Sequence, residues 1–301
     1  MVWLTVKVKE VILHSLRTRK NLVTLVDLTP SLVWYIVFFG IPIGVMFVYS
    51  FWTQTYVWLT PTFTLDNYVE FLTAPMYPML LGKSLLMAVV VTCGSVGLAY
   101  PAAYYLALKV KKHKYMLMLI LWGPFWTSYL LIVLAWRLIL GYGGVLNSLL
   151  LYIGLIREPL TALVYSPYAV ILTLVHIWAP WLAFPIFVSL EKMDKSLLEA
   201  AADLGATPAQ TFLRVTLPLS MPGVLVAVLF VFIPVVGEFV TPSLVGGPAG
   251  FMFGNIIEVM FHKGYNWPLG AALAFIMLVI VMVVAIALIK RIGLQTLMES
   301  L

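Results

Sequence analysis

The sequence predicts an all-α, polytopic membrane protein with about six transmembrane helices and both termini on the cytoplasmic side. Three observations predict it. The residues AVILMFWYC make up 63% of the chain and charged residues 10%, with a mean hydropathy of +1.05. A water-soluble domain is about half apolar and about a quarter charged, so this chain has too little polar surface to coat one. A helix needs about 20 mostly apolar residues to cross the hydrocarbon layer, and six stretches qualify: 31–51, 84–108, 115–140, 167–190, 219–245 and 268–289. Lys and Arg then fix the orientation, because cytoplasmic connections collect them. With the N-terminus inside, fourteen of the 18 basic residues fall on the inner side and only Lys83, Arg137, Arg157 and Lys263 on the outer.

Taken in order, residues 1–30 form an N-terminal segment in which 3–26 mixes apolar and basic positions, the pattern of a helix lying on the inner membrane surface. Residues 31–290 are the transmembrane domain, and 291–301 a cytoplasmic tail. Prolines 42, 101, 124, 180, 185 and 234 lie within the spans. Spanning helices tolerate proline where neighbours satisfy the freed carbonyls, so kinked, mutually packed helices are expected. The outer connections, 52–83, 141–166 and 246–267, carry Trp52, Trp58, Tyr142, Tyr152 and Trp267, which suit an interfacial aromatic belt. The first apolar stretch lacks a small-residue cleavage site behind it, so no cleaved leader is expected. Cys93 is the only cysteine, which excludes an intrachain disulfide and a cysteine-based metal site.

The inner connection 191–219 is the longest and the most ordered in pattern. Ser196 and Glu199 have the spacing of a capping box, in which each side chain satisfies a backbone donor at a helix start. Leu197, Leu198, Ala200, Ala201 and Leu204 continue that helix, and Gly205 ends it in the left-handed conformation that glycine adopts freely. Thr207, Pro208 and Gln210 open a second helix with a cap, a first-turn proline and a box-spaced partner. Leu217-Pro218 is expected to terminate it. A plain connector does not need an alanine-rich helix and a glycine corner. A docking surface does, because small residues permit close backbone approach, with Phe212 placed to plug a partner groove.

Glu199-Ala200-Ala201, then Gly205, then Val215-Thr216-Leu217-Pro218, resembles the EAA loop of type I ABC importer permeases; Val215 stands where that family prefers isoleucine. The resemblance extends over about 31–290. The run Gly237-Glu238-Phe239-Val240-Thr241-Pro242-Ser243-Leu244-Val245-Gly246-Gly247-Pro248, with Asn266-Trp267-Pro268, is similar to the spermidine/putrescine branch, which also includes importers of other small organic solutes. The resemblance implies a bacterial inner-membrane permease subunit that is not itself an enzyme. It implies an ABC ATPase dimer inside that binds the ATP and Mg, a second and different permease, and a solute-binding protein outside. Glu199, Ala200, Ala201, Gly205, Phe212 and Pro218 are then the residues that couple to the ATPase.

The chain lacks a Gly-x-x-x-x-Gly-Lys-Ser/Thr phosphate cradle, and Gly246–Gly250 reads as a turn. No cofactor, metal or nucleic acid is expected on this chain, only lipid around it. His14, His113, His176 and His262 are scattered, with His176 a hydrogen-bonded packing residue in the fourth span. The rival classes are a membrane-bound enzyme, which nothing in the sequence favours, and an ion-coupled secondary carrier. It would show internal repeats and midplane acids, and only Glu238 is an acid within a span. Glu238 has two readings: a pairing with Arg137, or a role lining a cation path with Tyr129, Trp178 and Trp181 through their aromatic faces.

Overall fold

The computed structural model describes residues 28–55 and 58–292, so the surface helix expected over 3–26 lies outside the described residues, as does all but the start of the C-terminal tail. Helix α1, Leu28–Tyr49, is long and apolar enough to cross a membrane but keeps almost all of its surface exposed. It meets the body edge-on, with the Phe47 ring 5.1 Å from that of Phe275. After it the Thr-rich segment forms a short antiparallel hairpin, β1 (Thr53–Thr55) on β2 (Trp58–Thr60), with Gln54 opposite Leu59. This small departure from an all-helical chain follows from its β-branched and aromatic residues. Helix α2, Asp66–Thr73, is tied back when Asn67 Nδ2 donates to the carbonyls of Ser50 and Trp52 at 2.9 and 2.8 Å.

Helix α3, Met76–Lys109, starts eight residues earlier than the sequence suggested. Helix α4, Lys114–Leu121, stops at a 3-10 turn over Gly123–Trp126, and α5, Tyr129–Leu140, and α6, Val145–Tyr152, follow. The third membrane-length segment is therefore Tyr129–Tyr152 and not 115–140. The kink expected at Pro124 is a full break, because a proline next to glycine both removes a donor and loosens the backbone. Helix α7, Pro167–Glu191, starts at a Ser166 cap that accepts from Ala169 N and runs through Pro180 and Pro185.

Helix α8, Ser196–Asp203, belongs to the connection 191–219, and α9 runs continuously over Pro208–Val236. Leu217-Pro218 therefore does not terminate the second loop helix. Pro218 has no N–H for the carbonyl one turn earlier, and a π-turn over Phe212–Thr216 absorbs the defect, with Leu217 N reaching Phe212 O. Such single-turn bulges are a regular way for a helix to pass a local misfit.

The fifth span breaks at Gly237, short of the expected 219–245. Beyond it α10, Pro242–Gly250, meets α11, Phe253–His262, at a bend of 108°. The connection 246–267 is thus largely a folded-back helix pair, and Gly246–Gly250 is the end of a helix and not a loop turn. Helix α12, Trp267–Ile292, closes the bundle.

Helices α3, α7 and α9 form the centre, where Val91, Leu174, Leu182, Ile186, Val231 and Val235 are buried. Lipid is as apolar as leucine, so close packing must hold such helices together, and small residues supply it. Gly223 of α9 faces Pro185 and Ser189 of α7: a Cβ there would lie 2.5 Å from the Pro185 carbonyl oxygen and from Ser189 Cβ. Glycine at 223 is what lets the two helices approach this closely.

Candidate coupling loop and transport site

The 191–219 loop leaves the bundle at Glu191, whose carboxylate pairs with Lys114 at the start of α4. The cap of α8 differs from the Ser196–Glu199 box. Asp194 Oδ1 accepts from Ser196 N at 2.9 Å, and that bond holds the Asp194 carboxyl below its ordinary range. An aspartate two residues ahead reaches the same orphan donors as a capping serine, which leaves Glu199 exposed in the first turn. Ala200 is exposed and Ala201 half-buried.

Gly205 has φ +80°. Its N–H reaches Ala202 O at 2.9 Å and Ala206 N reaches Ala201 O at 3.0 Å, the paired bonds of a Schellman motif. Thr207 and Gln210 form the expected capping box: Thr207 N donates to Gln210 Oε1 at 2.8 Å and Gln210 N to Thr207 Oγ1 at 3.3 Å. The corner presents apolar side chains to its surroundings, with Leu204 89% and Leu213 61% exposed. Phe212 does not project with them. Its ring packs edge-on against Tyr100 and Tyr104 of α3, at 5.6 and 6.0 Å. Tyr100 in turn shares a 2.8 Å hydroxyl contact with Ser220, and the π-turn that admits Pro218 lies between. Phe212 therefore fastens the loop to the second span, an aromatic contact that sequence spacing alone does not reveal.

At the other end of α9, Glu238 sits in the gap before α10. Its Oε1 accepts from Val240 N and Thr241 N at 2.9 and 3.1 Å, and its Oε2 accepts from Tyr129 Oη at 2.9 Å. The Tyr129 and Thr241 hydroxyls meet at 2.6 Å. A broken helix exposes orphan N–H groups, and a carboxylate is the strongest acceptor available for them. Arg137 is elsewhere: its Nε donates to Tyr165 Oη at 3.3 Å, with the guanidinium 5.6 Å from that ring centroid. The Glu238–Arg137 pairing is not formed.

Of the four expected path residues, the structure brings Tyr129 and Glu238 together. Trp178 is half-buried against the core, its Nε1 enclosed without a hydrogen-bond partner. Trp181 instead lines a cleft of about 320 Å³ between α7 and α9 with Trp122, Phe184 and Phe230. His176 is a hydrogen-bonded residue as expected, with Nδ1 accepting from Trp136 Nε1 at 3.1 Å.

Sequence reasoning missed the residues that hold the far end of the break. Asn255 Oδ1 accepts from Met252 N at 2.9 Å, and its Nδ2 donates to Phe239 O and Ser243 Oγ, both at 2.8 Å. Ser84 Oγ accepts from Phe253 N at 2.7 Å. Gly254 admits the close approach, since a Cβ there would meet Gly237 O at 2.5 Å. The one available signal was an Asn just past a Gly-rich stretch, which marks a helix start only once α11 is known to be a helix.

The family pattern described as a binding-protein-dependent transport system inner membrane component matches residues 20–293. The spermidine/putrescine transport system permease protein PotB of Escherichia coli (strain K12) is 40% identical over 240 residues, covering 79% of this chain and 86% of that protein. PotB of Salmonella typhimurium (strain SL1344) is 39% identical over the same length, covering 79% and 83%. A crystal structure of a bacterial ABC transporter involved in the import of the acidic polysaccharide alginate has a chain that superposes with TM-score 0.70 at 17% identity, covering 91% of this chain and 96% of that one, a likeness of fold. With six membrane-length helices among the described residues and a family pattern running through all of them, this chain belongs to the binding-protein-dependent transport system inner membrane components, as a multi-pass ABC permease subunit of the inner membrane.

Proposed function

We propose that this chain is a permease subunit of an ATP-driven importer of polyamines such as spermidine or putrescine. The observation that carries the substrate class is the 39–40% identity, over 79% of the chain, to permeases named for those two solutes. Glu238 is the chemical feature that fits a polycation. It is a half-buried carboxylate at the outer break of α9, with Tyr129 beside it. An acid at membrane depth persists where it faces a partner or a water-filled route. Aromatic faces such as Trp181 supply a second kind of attraction for ammonium groups.

Both termini are cytoplasmic in this reading, which puts α8 and the Gly205 corner on the ATPase side. An ATPase dimer grips the face that Glu199 and Ala200 expose, beside the half-buried Ala201. Its closure moves the corner, and Phe212, seated on Tyr100 and Tyr104, passes that motion to the second span while the continuous helix through Pro218 passes it to the fifth. ATP and Mg bind to that ATPase. A second, different permease completes the path, and a binding protein delivers solute from outside.

The test is reconstitution of the assembled complex, with its ATPase and binding protein, in lipid. Spermidine or putrescine is expected to stimulate ATP hydrolysis and to accumulate inside. Stimulation by an unrelated organic solute and by neither polyamine would reject the substrate class and keep the permease assignment. Uptake that follows an ion gradient without ATP would reject both.

A further inference from the structure

We propose that Lys83 is a positioning residue of the transport cycle: its ammonium, seated on the carbonyls at the bend between α10 and α11, latches the broken outer element to the second span. Lys83 lies near the outer end of α3, half-buried, and donates from Nζ to Phe251 O at 2.7 Å and to Ala249 O. A lysine at a membrane edge ordinarily turns its head group to water. Here the head group turns inward onto backbone oxygens from residues far along the chain.

The bend itself supplies the reason. Helix α10 ends at Gly250 and α11 starts at Phe253, so the 108° corner leaves carbonyls without helical partners. At membrane depth such groups must be satisfied by the protein, and an ammonium makes the stronger, charge-assisted kind of bond. Ser84, the next residue of α3, takes the Phe253 N–H at 2.7 Å. Two consecutive residues of the second span thus hold both sides of the corner, one its acceptors and the other a donor.

The near end of the same element is held differently. Glu238 takes the Val240 and Thr241 N–H groups and is anchored by Tyr129. The element 240–262 is therefore fixed where it begins by the Glu238 carboxylate, anchored on α5 through Tyr129, and at its bend by the Lys83 ammonium of α3. Relative motion of α3 and α5 must strain one of the two attachments. The Lys83 contact is a flexible side chain on carbonyl oxygens, which can let go and re-form without unfolding a helix. Its release leaves the corner on the single Ser84 bond, so that it can swing from α3 during each transport step.

The inference rests on the permease reading but not on the solute, and the labelling arm of its test needs no solute. In an assembled complex held in lipid nanodiscs, Cys93 is replaced by Ala, and Ile256, a buried residue of α11 in the cluster that holds Tyr77 and Leu81 of α3, by Cys. A water-soluble maleimide is expected to label Ile256→Cys slowly. Adding Lys83→Met is expected to speed labelling about tenfold, the scale set by losing hydrogen bonds to a charged donor, while Lys83→Arg stays within about twofold of the parent. The methionine variant should keep basal ATP hydrolysis but lose its stimulation by the loaded binding protein, and arginine should restore it. Should the methionine variant fail to assemble, Lys83→Gln is measured in its place. Labelling at the parent rate in the neutral variant, or equal loss of stimulation with Met and Arg, overturns the latch. If no polyamine stimulates any variant but labelling rises, only the substrate proposal falls.

Discussion

The hydroxyl of Tyr129, from the third membrane-length segment, donates to Oε2 of Glu238 in the break after α9, across 2.9 Å. The other carboxylate oxygen holds two backbone N–H groups of the segment that follows. One acid thereby joins the third span, the end of the fifth and the start of α10, which explains why a charge is retained at this depth. If Glu238 also attracts solute, it does so as a carboxylate already oriented by three donors.

Glu238→Gln and Tyr129→Phe should therefore behave as a coupled pair. The amide keeps an acceptor oxygen but loses the charge, and each charge-assisted bond lost costs roughly 1.5–3 kcal/mol. Uptake should fall by tenfold or more on the ~1.4 kcal/mol-per-decade scale in either single variant, and the double variant should lose less than the two losses combined. Independent, fully additive losses in a transport assay would mean that the two side chains do not act together. Charge-swapping Glu238 with Arg137 should rescue nothing, because Arg137 is bound to Tyr165.

Gly205 distinguishes conformational demand from contact. Its φ is +80°, and a Cβ there meets open space, so any penalty comes from the backbone alone. Gly205→Val should cost roughly 1 kcal/mol or more and displace the corner. Gly205→Asn should be tolerated, because asparagine enters the left-handed region readily. The expected result is normal membrane insertion for both, with ATPase association and coupled hydrolysis lost for valine and largely kept for asparagine. Equal, normal coupling by both would reduce the loop to a connector.

Gly223 poses the opposite case. Its backbone is ordinary, but a Cβ would lie 2.5 Å from Pro185 O and from Ser189 Cβ. Gly223→Ala should destabilise by about 1–3 kcal/mol through overpacking, seen as a lower midpoint of thermal unfolding in detergent. Serine should be worse than alanine. An unchanged midpoint for Gly223→Ala would show that α7 and α9 can separate there at no cost.

Orientation is open to direct measurement. A reporter active only in the cytoplasm should work when inserted at Lys112 or fused after Leu301, and should fail at Asp66 or Gly250. Activity at Gly250 would overturn the cytoplasmic placement of both termini argued from the basic residues.

The sequence by itself determined the number and nature of the spans, because hydropathy over about 20 residues is a local property that a bilayer reads segment by segment. It also determined the corner at Gly205, where Gly205, Thr207, Pro208 and Gln210 act on their own backbone. Capping and left-handed turns depend on neighbours in the chain, and even there the choice between Asp194 and Ser196 as the cap was settled only by where the chain arrives from α7. Tertiary structure decided the rest. Apolar composition reads the same through a helix and through its break, so the interruption at Gly123-Pro124, the end of α9 at Gly237 and the corner after Gly250 left no hydropathy signal. Phe212 looked like an outward knob because its place against Tyr100 and Tyr104 arises from the packing of two distant spans. Glu238 and Lys83 stood in the sequence as isolated charges. Their partners are a phenol far away in the chain and backbone groups freed by helix ends, and those exist only once the helices have broken and packed.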